Sequence, residues 1–232
     1  MSMTSMHLIE TTDIFNERKA EIDFYFDVLA DFESNNDFVK TRDNVTLLLI
    51  MKSNFILMLY NLVEACVSSG MKEVIEHINE ENLSYDLLIE NLKKLWTEKK
   101  VTNIYQNRQF TKKQYIENVE KIVQQILNKE VICFMAERSS IIEEGNLDAR
   151  KIREICKRYN ITFKVRDAKY MRDIKERRNS LAHGDRAFSS STGLTIKILE
   201  DYKKEVFDSL TKFIEGMEKY CRDREYKIHT LN

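Results

Sequence analysis

The chain contains no proline and only five glycines. These two residues punctuate sheets, tight turns and long loops: proline locks φ and lacks an amide donor, and glycine supplies positive φ. A sequence that does almost without both is suited to helices joined by short connections. At 232 residues, 43% hydrophobic and 32% charged, it has enough apolar material for one sizeable core and enough polar residues to cover it. The expected fold class is all-α.

Apolar residues at three-to-four spacing place the helices. Ile22, Tyr25, Phe26 and Leu29 mark a first helix over 13–33, behind Thr11 and Thr12 as candidate caps. Val45, Leu48, Leu49, Phe55, Ile56, Leu59 and Val63 form a broad face over 43–69, which Gly70 is expected to end before a short helix over 71–80. Ser84 is placed as the cap of a helix to Lys99, with Leu87, Leu88, Leu92 and Leu95 inward. Thr111 and Gln114 have capping-box spacing ahead of Tyr115, Val119, Ile122, Val123 and Ile126. The run Val131–Met135 fits either a strand or a buried turn.

Asp148 then caps a helix whose stripe is Ile152, Ile155 and Tyr159, with Leu147 and Ile152 at the ends of a hydrophobic staple. Ile161–Val165 is expected to be a brief extended piece. Asp167 is expected to cap the next helix, with Tyr170, Met171, Ile174 and Leu181 inward and Gly184 as its stop. A serine-rich loop over 185–193 leads to a last helix over 194–222, marked by Leu199, Tyr202, Val206, Leu210, Phe213, Met217 and Tyr220. The organisation expected is a single domain over 1–232. In it 71–147 is an inserted helical region, and 1–12 and 223–232 are disordered ends.

Several classes are disfavoured. Cys66, Cys133, Cys156 and Cys221 are far apart and read as reduced, mostly buried thiols. His7, His77, His183 and His229 lack ligand spacing, so neither a metal nor a cofactor is expected. The start, Met1–His7, has no basic and apolar leader pattern. Lys52, Ser53, Asn54, Asn61 and Glu64 interrupt the most apolar run, Val45–Val67, which therefore reads as a core helix rather than a membrane span. The expected location is cytoplasmic.

The formal net charge of −1 names no partner, but residues 150–186 carry an excess of +8 and the rest of the chain −9. Such a run is either a solvated face or a phosphate-binding surface. Lys157, Arg158 and Lys164 are its candidates for RNA contact. The run also holds Arg177-Arg178-Asn179-Ser180-Leu181-Ala182-His183-Gly184. Histidine exchanges protons near neutral pH and arginine forks onto phosphate oxygens, together a minimal kit for breaking a phosphodiester without metal. Asn179 and His183, four apart, share a helix face. Arg178 and His183, five apart, diverge by roughly 140° on an ideal helix. Either the helix distorts near its end, or two copies face each other.

This segment resembles the Arg-x4-His signature of the HEPN superfamily, in its Arg-Asn-x3-His form. Tyr60-Asn61-Leu62-Val63-Glu64 in the long upstream helix resembles a prokaryotic subgroup that pairs such a helix with Arg-Asn-x-Leu-Ala-His-Gly. The resemblance covers 43–222. It implies a HEPN-like helical bundle and a metal-independent endoribonuclease with paired motifs at a two-fold axis. The implied partners are an RNA substrate, a second copy of the chain, and an antitoxin or defence-system protein. The implied role is that of a toxin or defence effector in a bacterial conflict system. In that chemistry His183 is the general acid or base at the 2′-hydroxyl or the leaving oxygen. Arg178 stabilises charge on the phosphate, and Asn179 orients the phosphate or the imidazole. The products are a 2′,3′-cyclic phosphate and a 5′-hydroxyl.

Glu64 and Asn61 are candidate supporting residues; each either reaches the Arg–His cleft or bonds a neighbouring helix. Arg177 reads as an exposed phosphate or solvent contact. Some HEPN toxins carry a tyrosine two residues after the histidine, which a nucleotidyltransferase partner modifies; Asp185 stands there in this chain and argues against silencing by that route. The other class is a catalytically silent HEPN-like module for dimerisation or for nucleotide or RNA binding. Only the enzyme requires a reactive His183. A DNA nuclease lacks support, because no carboxylate-rich metal motif stands out.

Overall fold

The computed structural model describes residues 8–106, 110–135, 146–165, 168–190 and 193–228. Among them lie seven α-helices: α1 (Ile9–Ser34), α2 (Arg42–Glu80), α3 (Glu90–Gln106), α4 (Lys112–Leu127), α5 (Ala149–Tyr159), α6 (Lys169–Ala182) and α7 (Ile196–Arg222). Short 3-10 turns occupy Phe38–Lys40, Tyr85–Leu87 and Phe188–Ser190. Extended pairing is limited to the bridges Ser84–Val131 and Leu88–Lys227 among the described residues. The fold is all-α.

Helix α2 is the axis. Thr41 caps its start by accepting from the Asn44 amide. Helices α1, α6 and α7 pack around it and bury Phe55, Ile56, Leu59, Leu62, Val63 and Val67. By length and composition α2 is apolar enough to cross a membrane, but its middle is buried in protein, with Val45 and Leu47 exposed near its start. Its buried Lys52 pairs with Glu33 at 2.8 Å and donates to the Leu194 carbonyl at 2.7 Å. Ser53 donates to the Phe188 carbonyl at 2.7 Å. These two polar residues fasten the segment after α6 onto the central helix.

Sequence periodicity predicts an end at Gly70, yet α2 runs on to Glu80. A Cβ at Gly70 would stand 3.0 Å from Met217 Cε, so the missing side chain lets α7 close in. Glycine costs a helix about 1 kcal/mol relative to alanine, and the burial on both sides outweighs it. Gly216 on α7 is tighter: a Cβ there would lie 2.3 Å from the Thr162 carbonyl oxygen. The expected extended piece over 161–165 is thus irregular chain crossing α7 at backbone contact.

Both ends are more ordered than expected. Helix α1 starts at Ile9, with Leu8 buried. Thr11 sits inside it rather than capping it, and its amide and hydroxyl both donate to the Glu73 carboxylate. At the other end, Tyr226 is buried with its hydroxyl 3.2 Å from His77 Nε2, and Ile228 donates to the Leu87 carbonyl at 2.9 Å. Disorder is therefore not the state of 8–12 or 223–228; 1–7 and 229–232 lie outside the described residues. Ser84 leads a 3-10 turn rather than a helix, and α3 starts at Glu90. Val131–Met135 is no strand; Ile132 and Phe134 are buried, and Ile132 donates to the Leu83 carbonyl at 2.8 Å.

Local signals hold where they are strongest. Thr111 and Gln114 make the reciprocal capping box. Asp148 caps α5 by accepting from the Lys151 amide at 3.0 Å, with Leu147 and Ile152 buried beside it. Asp167 lies outside the described residues; α6 follows Ala168, which makes no side-chain cap bond. Helix α4 leans on α3 and buries no residue of its predicted stripe fully; Tyr115, Val119 and Val123 stay exposed.

Candidate active site

Met171, Ile174 and Leu181 make the buried stripe of α6. Arg178 falls on that same stripe, four residues after Ile174 and three before Leu181, so helix geometry turns it inward. A guanidinium there needs partners, and α2 supplies two. Its carbon sits 4.7 Å from the centre of the Tyr60 ring, a cation–π contact. Nη2 lies 4.0 Å from Glu64 Oε2. Tyr60 and Glu64 are four apart on one face of α2. Nη1 donates to Asn179 Oδ1 at 3.2 Å.

Tyr60 is itself fixed. Its hydroxyl accepts from the Leu147 amide at 3.2 Å. Burial pushes the phenol up to about 12, so it stays neutral at physiological pH. The Glu64 contact is an ion pair longer than a hydrogen bond. The Arg178 side chain keeps 26% of its surface exposed. It is anchored, and one part of it still meets solvent.

His183 closes α6 and is exposed. Its backbone is still right-handed helical, and its amide donates to the Asn179 carbonyl at 2.9 Å. Gly184, at φ +78°, then turns the chain away. Its amide reaches the Leu181 carbonyl at 3.3 Å, and the Arg186 amide reaches that of Ser180 at 3.2 Å. The helix does not distort between Arg178 and His183: the first faces α2 and the second stands at the exposed tip.

The other candidates are scattered. Arg177 is not a free surface contact; its Nε donates to both Asp173 oxygens at 3.1 and 3.2 Å, and Asp173 also accepts from the Tyr202 hydroxyl. Asn61 is exposed beside α1, where its carbonyl accepts from Arg18 at 3.2 Å. One residue past Tyr60, it is turned about 100° from the Arg178 side. Lys157 and Arg158 are exposed on the last turn of α5, flanked by Glu90, Glu98 and Glu154. Lys164 is exposed on the segment that crosses α7. Tyr60 was missed as a site residue, although its i,i+4 relation to Glu64 is readable in sequence.

No group of three or more His, Cys, Asp or Glu able to hold a metal occurs among the described residues. All four cysteines are free; Cys66, Cys156 and Cys221 are buried and Cys133 is exposed. What the arrangement offers is an anchored arginine, an amide and a solvent-facing imidazole at one end of a helix. A family model described as HEPN_MAE_28990:/-like HEPN matches residues 9–226. No curated protein and no solved structure gives a match.

Proposed function

The chain belongs to the HEPN_MAE_28990-like HEPN family, and on that premise we propose that it is a metal-independent endoribonuclease, a cytoplasmic toxin or defence effector of a bacterial conflict system. The observation that carries this reading is the anchoring of Arg178 by Tyr60, Glu64 and Asn179, one turn before an exposed His183. An arginine held in place, with part of its surface in solvent, is pre-positioned for the charge that builds on a phosphate in the transition state. His183 removes the proton from the ribose 2′-hydroxyl or delivers one to the leaving 5′-oxygen. The 2′-oxygen attacks phosphorus and the bond to the 5′-oxygen breaks. Asn179 holds the phosphate or the imidazole in line.

Since α6 stays regular, Arg178 and His183 of one chain point apart. The reading therefore includes a homodimer with both motifs in one cleft, so that the arginine of one protomer serves the histidine of its partner. A second reading draws on the same inward contacts of Arg178: a catalytically silent module in which the arginine is structural.

One experiment separates them. Wild type and His183→Ala are incubated with total RNA in EDTA, with circular dichroism to verify folding. The enzyme reading expects cleavage to 2′,3′-cyclic phosphate ends by wild type and none by the variant. Full activity in His183→Ala overturns it. Mixing His183→Ala with Arg178→Ala should restore about half the activity per heterodimer if each site draws on both chains; no recovery refutes the shared site.

A further inference from the structure

A cleft of about 460 Å³ opens between the first turns of α5 and α6. Arg150, Arg153, Lys169, Arg172 and Lys175 line it, and among the described residues lining it Asp148 is the one carboxylate. We propose that this cleft, rather than the Lys157–Lys164 surface, receives the RNA backbone and leads it to Arg178. The inference rests on the ribonuclease reading and names the path its substrate takes.

The cleft floor is built. Asp148, 5% exposed, accepts from Lys175 Nζ at 2.8 Å while capping α5. Arg153 donates to the Val165 carbonyl at 2.8 Å. Over this floor Arg150, Lys169 and Arg172 are exposed. Lys169 lies over the Tyr170 ring at 4.7 Å, and the Arg172–Glu176 pair, at 4.0 Å, is a surface contact of little strength. Among the described residues, five cations face one already engaged carboxylate; this makes an electropositive trough, which attracts a polyanion.

The trough is joined to the motif by contact. Lys175 is held by Asp148; the neighbouring Leu147 amide bonds the Tyr60 hydroxyl; and the Tyr60 ring carries Arg178. Arg172, Lys175 and Asn179 also share one side of α6. Arg172 precedes Arg178 by six residues, about 9 Å along the helix axis, so a strand lying in the trough reaches Arg178 within a few nucleotides. That elongated layout favours a chain of phosphodiesters over a single free nucleotide. The Lys157–Lys164 surface lacks this continuity, and Glu90, Glu98 and Glu154 offset its charge.

The test uses His183→Ala as the non-cleaving parent and a fluorescein-labelled single-stranded RNA of mixed sequence. Arg150→Glu/Lys169→Glu/Arg172→Glu is compared with Lys157→Glu/Arg158→Glu/Lys164→Glu, which changes the net charge equally. The cleft variant should lose at least about tenfold in affinity, and its log–log salt slope should flatten by about 2, since each lost phosphate contact in a single strand removes about 0.7. The second variant should lose less. Arg150→Gln/Lys169→Gln/Arg172→Gln repeats the measurement without reversing charge, with circular dichroism on every protein. Unchanged affinity and slope in the cleft variants, while wild type still cleaves RNA, overturn the path and leave the ribonuclease reading standing. A loss of ATP binding with RNA binding intact overturns it in favour of a nucleotide. If the parent binds no RNA and wild type cleaves none, the ribonuclease reading fails and the path with it.

Discussion

The two ends of α6 use positive charge in opposite ways. Toward its C-terminus both arginines are held: Arg177 by the Asp173 carboxylate, Arg178 by an aromatic face, a carboxylate and an amide. Toward its N-terminus only Lys175 is held by a buried carboxylate, that of Asp148, while Lys169 and Arg172 are exposed, with only the Tyr170 ring and a 4.0 Å surface pair to Glu176 beside them. The difference teaches what each end is fit for. A guanidinium whose position is fixed by buried partners needs no reorganisation when charge appears beside it, which suits a reaction centre. Cations left in water on a concave surface raise the local concentration of a polyanion without placing any one phosphate. Within the C-terminal end the two neighbouring arginines differ as well, because one faces α2 and the other is paired along α6 with Asp173, which in turn bonds Tyr202 of α7.

The sharpest way to break this contrast is to remove each arginine in turn. Arg178→Ala should lower kcat for RNA cleavage by about 10²–10³, the usual loss when one pre-organised donor to a developing anion is removed. Arg178→Lys should recover little of it, because an ammonium cannot reproduce the planar fork. Arg177→Ala, by contrast, should act mainly through thermal stability and leave kcat within a few-fold, since its partner is Asp173 rather than substrate. Single-turnover cleavage beside thermal melts separates the two. Equal losses of kcat would show that the two arginines are not divided between chemistry and packing.

That division was half legible in the sequence. Arg178 sits between Ile174 and Leu181 on the buried stripe, so its inward direction follows from periodicity alone. Its partners do not, because Tyr60 and Glu64 come from a helix more than a hundred residues earlier and only packing brings them under it. Local devices were readable for the same reason: the Asp148 cap, the Thr111–Gln114 box and the Gly184 stop each depend on residues within one turn. Gly70 was misread because its meaning depends on Met217 of α7, not on its neighbours. Of the two alternatives for Asn61, only packing could choose: it is exposed beside α1, where its carbonyl accepts from Arg18, and not at Arg178. The basic trough escaped notice because it joins the starts of two helices that the sequence presents as one charge run.

A finer test asks which part of the anchor matters. Tyr60→Leu removes the ring beneath Arg178 and should cost about tenfold in kcat, within the range of a partly desolvated cation–π contact. Tyr60→Phe keeps the ring and loses the hydroxyl's bonds to the Leu147 amide and the Glu64 carboxylate, so most of the activity should remain. If the two variants lose equally, the hydroxyl and its bonds to Leu147 and Glu64 position the arginine, and the ring does not. A rise in KM at unchanged kcat would instead place Tyr60 in substrate binding.

The smallest effect expected is at Lys175, the cation of the N-terminal end that a buried carboxylate holds. Burial alone would raise the Asp148 carboxyl, but the hydrogen bonds from Lys175 and from the Lys151 amide outweigh it and hold it below the ordinary carboxylate range. A group depressed in this way stabilises the fold above its unfolded pKa and loses that contribution as pH falls through the folded value. Asp148→Asn keeps an adequate helix cap and loses the charge-assisted bond to Lys175. At neutral pH the variant should therefore be less stable by about 1 kcal/mol. Urea denaturation should give the full difference down to about pH 4, the ordinary aspartate range, and a closing gap below it as the wild-type carboxyl protonates. A gap that stays constant to pH 3 would mean that the Lys175 pairing adds no stability. Lys175 would then belong with Lys169 and Arg172, whose surface contacts carry little strength, and the floor of the trough would rest on the Arg153 bond to the Val165 carbonyl alone.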